Sequence, residues 1–446
     1  MFYIVETKEQ LDRLAVYKDD DCFVHNIHHS EGNHMLYDQI SVIYYRPFSA
    51  SSGFLICRNH SESMSIHDVS TFIDNLTGQI WCIDSKSILR FWSVFLSPNS
   101  LKLAYALSGK EFPDLSSCDT AAHRHLNSTC HGNRDINVMI PLSKHYEKWE
   151  TVYSILDFGL NPSGYDFYND VVFNSFWMLE KQPIRGDGPE ITKYFPKYDN
   201  YLIGSSSFVM SYLFTSYDLC HSTARPSCNY SGINYMALPK ANGARKIISS
   251  DPENYLVEFD YKSYQIKLLA DLIGYTFDSG NIHRELAKQY FNTDIVTDEQ
   301  YEEGKKLTFR YSYGRTTEAP DIPFFQQVYT LRDELWSFNE ENGFIISPIS
   351  GRHLFGITKL TQVLPHLMQC LETERNALVL QNIHKFLEGK RSHIILYQYD
   401  SFLFDIHYRE GTALVGQIKD ILEEDGYETT VSFGYNYHEM NKTIIS

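Results

Sequence analysis

The chain has 446 residues, 43% of them hydrophobic, 15% aromatic and 21% charged, which is material for several packed cores in about two to four domains and excludes a disordered, collagen-like or low-complexity protein. Lys and Arg total 39 against 56 Asp and Glu, a formal charge of −17 that taken alone argues against a nucleic-acid partner, although a whole-chain average leaves room for a locally basic cleft. No apolar run approaches the roughly 20 residues of a membrane helix, and the start Met1-Phe-Tyr-Ile-Val-Glu lacks a basic region followed by an apolar one. A soluble, intracellular chain is expected. The 8 cysteines contain no Cys-x-x-Cys pair and read as free thiols in a reducing compartment.

In chain order, the first 150 residues read as mixed α/β. A short strand over 2–5 precedes a helix over 9–17; 40–45 and 54–57 look like paired strands, and 85–96 has helical spacing. Residues 151–250, rich in Tyr, Phe, Ser and Asn, show no clear period. Then the signals sharpen. An apolar strand over 255–259 ends at Asp260, helices are expected over 264–272 and 298–313, and apolar strands over 392–397 and 402–406 form a hairpin with Asp400 near its tip. No internal repeat or linker interrupts the chain.

Pairing in one sheet could bring Asp260 and Asp400 together. Two ionised carboxylates at close range need a compensating cation. A pair of Mg²⁺ ions is the usual solution, and it supports in-line displacement at phosphorus. The plainer reading of each residue is an Asp accepting a hydrogen bond in a turn. The helix over 298–313 shifts that balance, because Lys305, Phe309 and Tyr313 recur every four residues and share one face. A Lys is seldom buried unpaired, but a cation followed by two aromatics suits a nucleotide: charge for a triphosphate, rings for sugar and base. Core packing of the rings with a snorkelling Lys305 stays open on spacing alone.

These residues carry a resemblance. Phe259-Asp-Tyr-Lys-Ser-Tyr-Gln-Ile-Lys-Leu-Leu-Ala270 resembles motif A of the family A DNA polymerases, Lys305-x-x-x-Phe309-x-x-x-Tyr313-Gly314 their motif B, and Gln398-Tyr-Asp-Ser-Phe-Leu-Phe-Asp405 their motif C, in the family's order and intervals. Ser222-Thr-Ala-Arg-Pro-Ser227 with Gly232-Ile-Asn-Tyr235 resembles the Thr-Gly-Arg-x-Ser…Asn-x-x-Asn segment at the thumb–palm junction. Arg245 stands where the family has an arginine, Asn281-Ile-His283 resembles Asp-Ile-His, and Met368-Gln369 resembles the Gln that contacts the primer–template minor groove. The likeness spans about residues 170–446.

The resemblance implies a multidomain α+β / α/β fold: a right-hand polymerase in 151–446, with the thumb at about 160–240, the palm at about 241–275 and 345–446, and the fingers at about 276–344. It implies template-directed DNA synthesis, with dNTPs joined to a primer 3′-OH. Asp260, Asp400 and the Tyr261 carbonyl would hold two Mg²⁺, for which Mn²⁺ could substitute. Lys305 and His283 would meet the triphosphate, and Lys305 would protonate the leaving pyrophosphate. Gln265, Phe309 and Tyr313 would shape the nucleotide pocket, while Arg225, Asn234, Arg245 and Gln369 would hold DNA. The implied partners are primer–template DNA, dNTPs and replication accessory proteins, with no membrane. A monomer of bacteriophage type in the host cytoplasm is the expectation.

The departures are specific. Tyr301 replaces a family arginine, with Arg310 as a substitute phosphate contact. Gln265 stands where DNA-selective members have the glutamate that excludes a ribose 2′-OH, and Ser401 follows Asp400 where a second acid belongs. The first 150 residues resemble the family's RNase H-like 3′–5′ exonuclease domain with its acids replaced. His25 and Ile27 occupy the Asp-x-Glu positions of Cys22-Phe-Val-His-Asn-Ile27. Ile88 stands for an Asp after Trp81-Cys-Ile-Asp-Ser-Lys86, Ser116-Ser-Cys-Asp-Thr-Ala-Ala122 resembles the non-catalytic Asp-Thr segment, and Tyr146-x-x-x-Glu150 replaces Tyr-x-x-x-Asp. Proofreading is therefore expected to be absent. A single-subunit RNA polymerase-like enzyme and an inactive primer–template-binding paralogue are the alternatives. The cluster Cys118, His123, His125, Cys130 and His131 fits no standard zinc spacing, His25, His28, His29 and His34 read as polar loop histidines, and the acidic run Asp298-Glu299, Glu302-Glu303 reads as a solvent face.

Overall fold

The computed structural model describes residues 4–29, 39–57, 64–89, 92, 98–118, 142–196, 201–205, 208–230, 232–278, 281–313, 316 and 318–443. The chain divides into two units, Met1–Asn161 and Pro162–Ser446. The division falls beyond residue 150 because the helix Leu142–Ile155 runs through that position and sends Trp149 and Val152 into the core of the first unit.

That unit is built on a six-stranded mixed sheet in the order Ile4–Val5, Phe54–Cys57, Gln39–Pro47, Cys22–His29, Ile80–Cys82, Asn99–Ser100. The expected pair over 40–45 and 54–57 is antiparallel, with Tyr44 opposite Leu55. Alternate residues serve opposite faces: Phe23, Val42, Tyr44 and Leu55 pack with Trp149 and Val152, whereas Val24, Ile43, Tyr45 and Ile56 pack with Leu11, Val69 and Ile73. The helix expected over 9–17 begins as Lys8–Arg13 under a Thr7–Gln10 capping box and tightens to a 3₁₀ turn over Leu14–Tyr17. Of the helix expected over 85–96, Lys86–Leu89 is helical and most of the remainder lies outside the described residues. His34, His123, His125, Cys130, His131 and Gly314 also lie outside them. The described cysteines are free thiols, and among the described residues no helix is long and apolar enough to cross a membrane.

The second unit centres on a five-stranded antiparallel sheet in the order His393–Gln398, Ser401–His407, Asn254–Tyr261, Thr429–Gly434, Asn441–Thr443. The expected hairpin closes with Gln398 opposite Ser401, leaving Tyr399 and Asp400 as its turn, and Tyr399 takes a left-handed φ of 59°. Leu256, Val257 and Phe259 of the middle strand are fully buried. A second core joins the helix Tyr264–Ile273 to the helices Ile282–Phe291, Pro323–Asn342 and Val363–Leu387 through Ile266, Leu269, Leu286, Phe324, Val328 and Met368.

The helix Asp298–Ser312 starts at a Thr297–Gln300 capping box, with Asp298 and Glu299 in its first turn and Arg310 in its last, the charge order the helix dipole favours. Its acidic run is exposed. A Cβ on Gly304 would come within 2.7 Å of the Ala287 Cβ, so this glycine lets the helix lie close against Ile282–Phe291. The stretch without a clear period holds a π-helical segment, Tyr168–Phe173, and short strands of two small sheets.

Candidate active site

Asp260 lies one residue from the end of its strand and pairs in register with Ser401 on the neighbouring strand. The next backbone N–H, that of Tyr261, donates to the Asp400 carbonyl at 2.9 Å. Sheet pairing thus ties the hairpin turn to the strand end and sets both aspartates at the same end of the sheet. They line one cavity of about 670 Å³. The helix Asp298–Ser312 contributes Tyr301, Lys305 and Phe309 to that cavity, with Tyr313 at its C-cap. His283 enters from the first turn of Ile282–Phe291, Gln265 from Tyr264–Ile273, and Arg225 from the loop before Ser227–Tyr230. Arg225, Lys262 and Lys305 also line this space, with Lys262 paired to Glu428 at 2.9 Å, so three cations gather at this cavity on a chain of charge −17.

The electrostatics are uneven. Asp400 opens onto the cavity, yet the surrounding protein desolvates it and raises its pKa, while Arg225 and Lys240 pull the other way. Burial and the nearby Lys305 hold His283 down to about 4, so its ring is neutral at pH 7 and can offer an N–H but no charge. Its Nδ1 is buried without a hydrogen-bond partner. A chain of contacts runs behind the wall. The Tyr313 hydroxyl donates to Gln265 Oε1 at 2.6 Å, Gln265 Nε2 donates to Glu372 Oε2 at 3.3 Å, and the same carboxylate oxygen lies 3.6 Å from Arg225 Nη2. The Arg225 guanidinium sits over the Tyr399 ring, 3.3 Å from its centroid, which clamps the turn residue beside Asp400.

Of the residues singled out in the sequence, Asp260, Tyr261, Gln265, His283, Lys305, Phe309, Tyr313, Arg225 and Asp400 line this cavity. Four do not. Arg310 is exposed on another face of its helix, near Tyr329. Arg245 is buried under the hairpin, donating to Gln398 Oε1 at 3.3 Å, 3.7 Å from Glu258, with Tyr437 stacked on it. The Asn234 side chain caps the 3₁₀ turn Tyr235–Ala237. Gln369 is half-buried on Val363–Leu387, where its carbonyl accepts from the Thr373 hydroxyl. The sequence reading missed Glu372 altogether; an acid amid Leu367, Met368 and Leu371 on one helix was the available signal. It also stopped the stripe one turn short of Tyr301.

For a metal the cavity offers the carboxylates of Asp260 and Asp400, and among the described residues no three His, Cys, Asp or Glu side chains gather as a closed cage. An all-oxygen, incomplete set fits Mg²⁺, which keeps waters and takes further oxygens from substrate phosphates.

In the first unit, the positions expected to have lost their acids are filled differently. His25, His28 and His29 lie on the strand Cys22–His29 and not in a loop as expected; the His25 ring stacks on Trp149 at 3.7 Å between centroids, and Ile88 is fully buried in the core. Glu150 accepts from the Tyr44 hydroxyl and the Gly53 N–H and lies 3.5 Å from Arg46.

Among solved structures, the chain is similar to the POL domain of Pol1 from M. smegmatis, a structure in complex with DNA primer–template and dNTP. The TM-score is 0.70 over 98% of this chain and 100% of that one, at 12% sequence identity. The fold is therefore that of a DNA polymerase domain. No family model matches the chain, and no curated protein matches it.

Proposed function

We propose that the chain is a template-directed DNA polymerase of family A type that joins dNTPs to a primer 3′-OH with two Mg²⁺ ions and does not proofread. The observation that carries this reading is the pair Asp260 and Asp400 on hydrogen-bonded neighbouring backbone, facing Lys305, Phe309 and Tyr313 across one cavity. The fold likeness to a polymerase domain determined with primer–template and dNTP supports it. In this reading the five-stranded sheet is the palm, the helices from Ile282 to Asn342 are the fingers, and the thumb lies within about residues 160–240.

The roles follow from position. Asp260, Asp400 and the Tyr261 carbonyl hold the metals, which when bound neutralise charge developing on the reacting phosphate. Lys305 holds the triphosphate and gives its proton to the departing pyrophosphate. His283, neutral, donates an N–H to a phosphate oxygen. Phe309 and Tyr313 stack on the base and close the sugar pocket. The metal-dependent assay is direct: the purified protein should extend a primed template with dNTPs in Mg²⁺ or Mn²⁺ and stop in EDTA. A preference for NTPs would favour the RNA polymerase-like reading, and primer–template binding without extension the inactive one.

The first unit supports the absence of proofreading. A two-metal exonuclease needs carboxylates at the positions of His25, Ile27 and Ile88, and Glu150 is already bonded to Tyr44 and Gly53. A mismatched 3′ end should therefore survive incubation in Mg²⁺ or Mn²⁺. Metal-dependent trimming that persists in Asp260→Ala would overturn this assignment.

A further inference from the structure

Glu372 is a carboxylate with no exposed surface, in the middle of the helix Val363–Leu387. Burying a charge is costly unless it is paired. Here the pairing is one-sided: Oε2 faces Arg225 at 3.6 Å and accepts from Gln265 at 3.3 Å, while Oε1 has no hydrogen-bond partner. An ionised carboxylate only accepts hydrogen bonds. It therefore admits the Gln265 amide one way round, with nitrogen towards Glu372. That leaves Gln265 Oε1 turned to the Tyr313 hydroxyl, which donates to it at 2.6 Å. The reversed amide would set a carbonyl oxygen against the carboxylate in a dry site, where like-signed atoms repel strongly.

We propose that Glu372 is a positioning residue for sugar selection, holding Gln265 as an oxygen-out, Tyr313-anchored wall of the nucleotide pocket. Position 265 then presents the acceptor that a carboxylate would present, and the negative charge sits one residue further back. The inference rests on the polymerase reading above and states how that site chooses between deoxyribose and ribose. With Glu372 neutralised or removed, the amide can turn its NH₂ outward and donate to a 2′-OH, which admits ribonucleotides. A second consequence concerns Gln265→Glu. Alone, that change would set a second carboxylate against Glu372, where the Gln265 amide now lies at 3.3 Å, a pair that must share a proton.

The experiment measures the ratio of kcat/KM for dNTP over NTP on one template, at about pH 8.5, above the value of about 7 to which burial pushes Glu372. The near-isosteric Glu372→Gln keeps the packing, and Glu372→Ala removes the group. In both, the ratio should fall roughly ten- to a hundredfold, the range for one polar discrimination. The exchange variant Gln265→Glu/Glu372→Gln should return it to the wild-type ratio or above, because the carboxylate brought to position 265 forces the amide brought to position 372 to turn its nitrogen forward. Loss of folding alone gives no such rescue. If Glu372→Gln keeps the wild-type ratio, or if the exchange variant discriminates no better than Glu372→Gln, Glu372 does not set sugar choice. Wild-type protein that incorporates neither dNTP nor NTP would instead sink the polymerase reading, and this inference with it.

Discussion

Replacing Asp260 or Asp400 with alanine should lower nucleotide incorporation by about 10³-fold or more, because metal-held charge supplies several kcal/mol to the transition state. Primer–template affinity should change little, since affinity for a phosphate backbone comes from cations and neither substitution removes one. Neither aspartate fills the core: Asp400 opens to the cavity and Asp260 is half-buried at a strand end. Loss of activity without loss of folding is thus the expected pairing, read by single-turnover extension beside fluorescence anisotropy on labelled primer–template. Extension at the wild-type rate by Asp400→Ala would end the two-carboxylate assignment.

Lys305→Ala should slow the chemical step by about 10²–10⁴-fold, the usual worth of a placed general acid. Lys305→Arg separates its two jobs. Arginine keeps the positive charge on the triphosphate but does not give up its proton, so apparent dNTP affinity should recover while the maximal rate stays low. Pre-steady-state incorporation across dNTP concentrations gives both numbers. If Lys305→Ala raises only the half-saturating dNTP concentration, or if Lys305→Arg is fully active, Lys305 binds the nucleotide and does nothing more.

Much of this site was legible because two periodicities were clean. Apolar runs broken by a turn marked the strands that carry Asp260 and Asp400, and a four-residue step marked the face of Lys305, Phe309 and Tyr313. What escaped had physical reasons. Leu371-Glu-Thr-Glu-Arg-Asn376 reads as polar helical surface, yet Glu372, Thr373, Glu374 and Asn376 have no exposed surface, and periodicity cannot mark a helix enclosed on all sides. Arg245 is singled out in the sequence only by standing where the family has an arginine. Its actual setting, with Glu258, Gln398 and Tyr437, comes from long-range pairing that no local spacing shows. Between 151 and 250, buried tyrosines such as Tyr168 and Tyr217 sit in a π-helical segment and short strands, where neither the helical nor the strand period persists.

The middle strand of the five-stranded sheet has a consequence for biosynthesis. Asn254–Tyr261 is flanked by Ser401–His407 on one side and Thr429–Gly434 on the other, and a ribosome makes both long afterwards. Until those segments are made, this strand therefore has two open edges, the condition under which nascent chains pair with one another. Glu258 and Asp260 interrupt its apolar run at alternate positions and guard it during that wait. A translation product that stops short of Thr429 would carry both Asp260 and Asp400 and still leave one edge of the middle strand open.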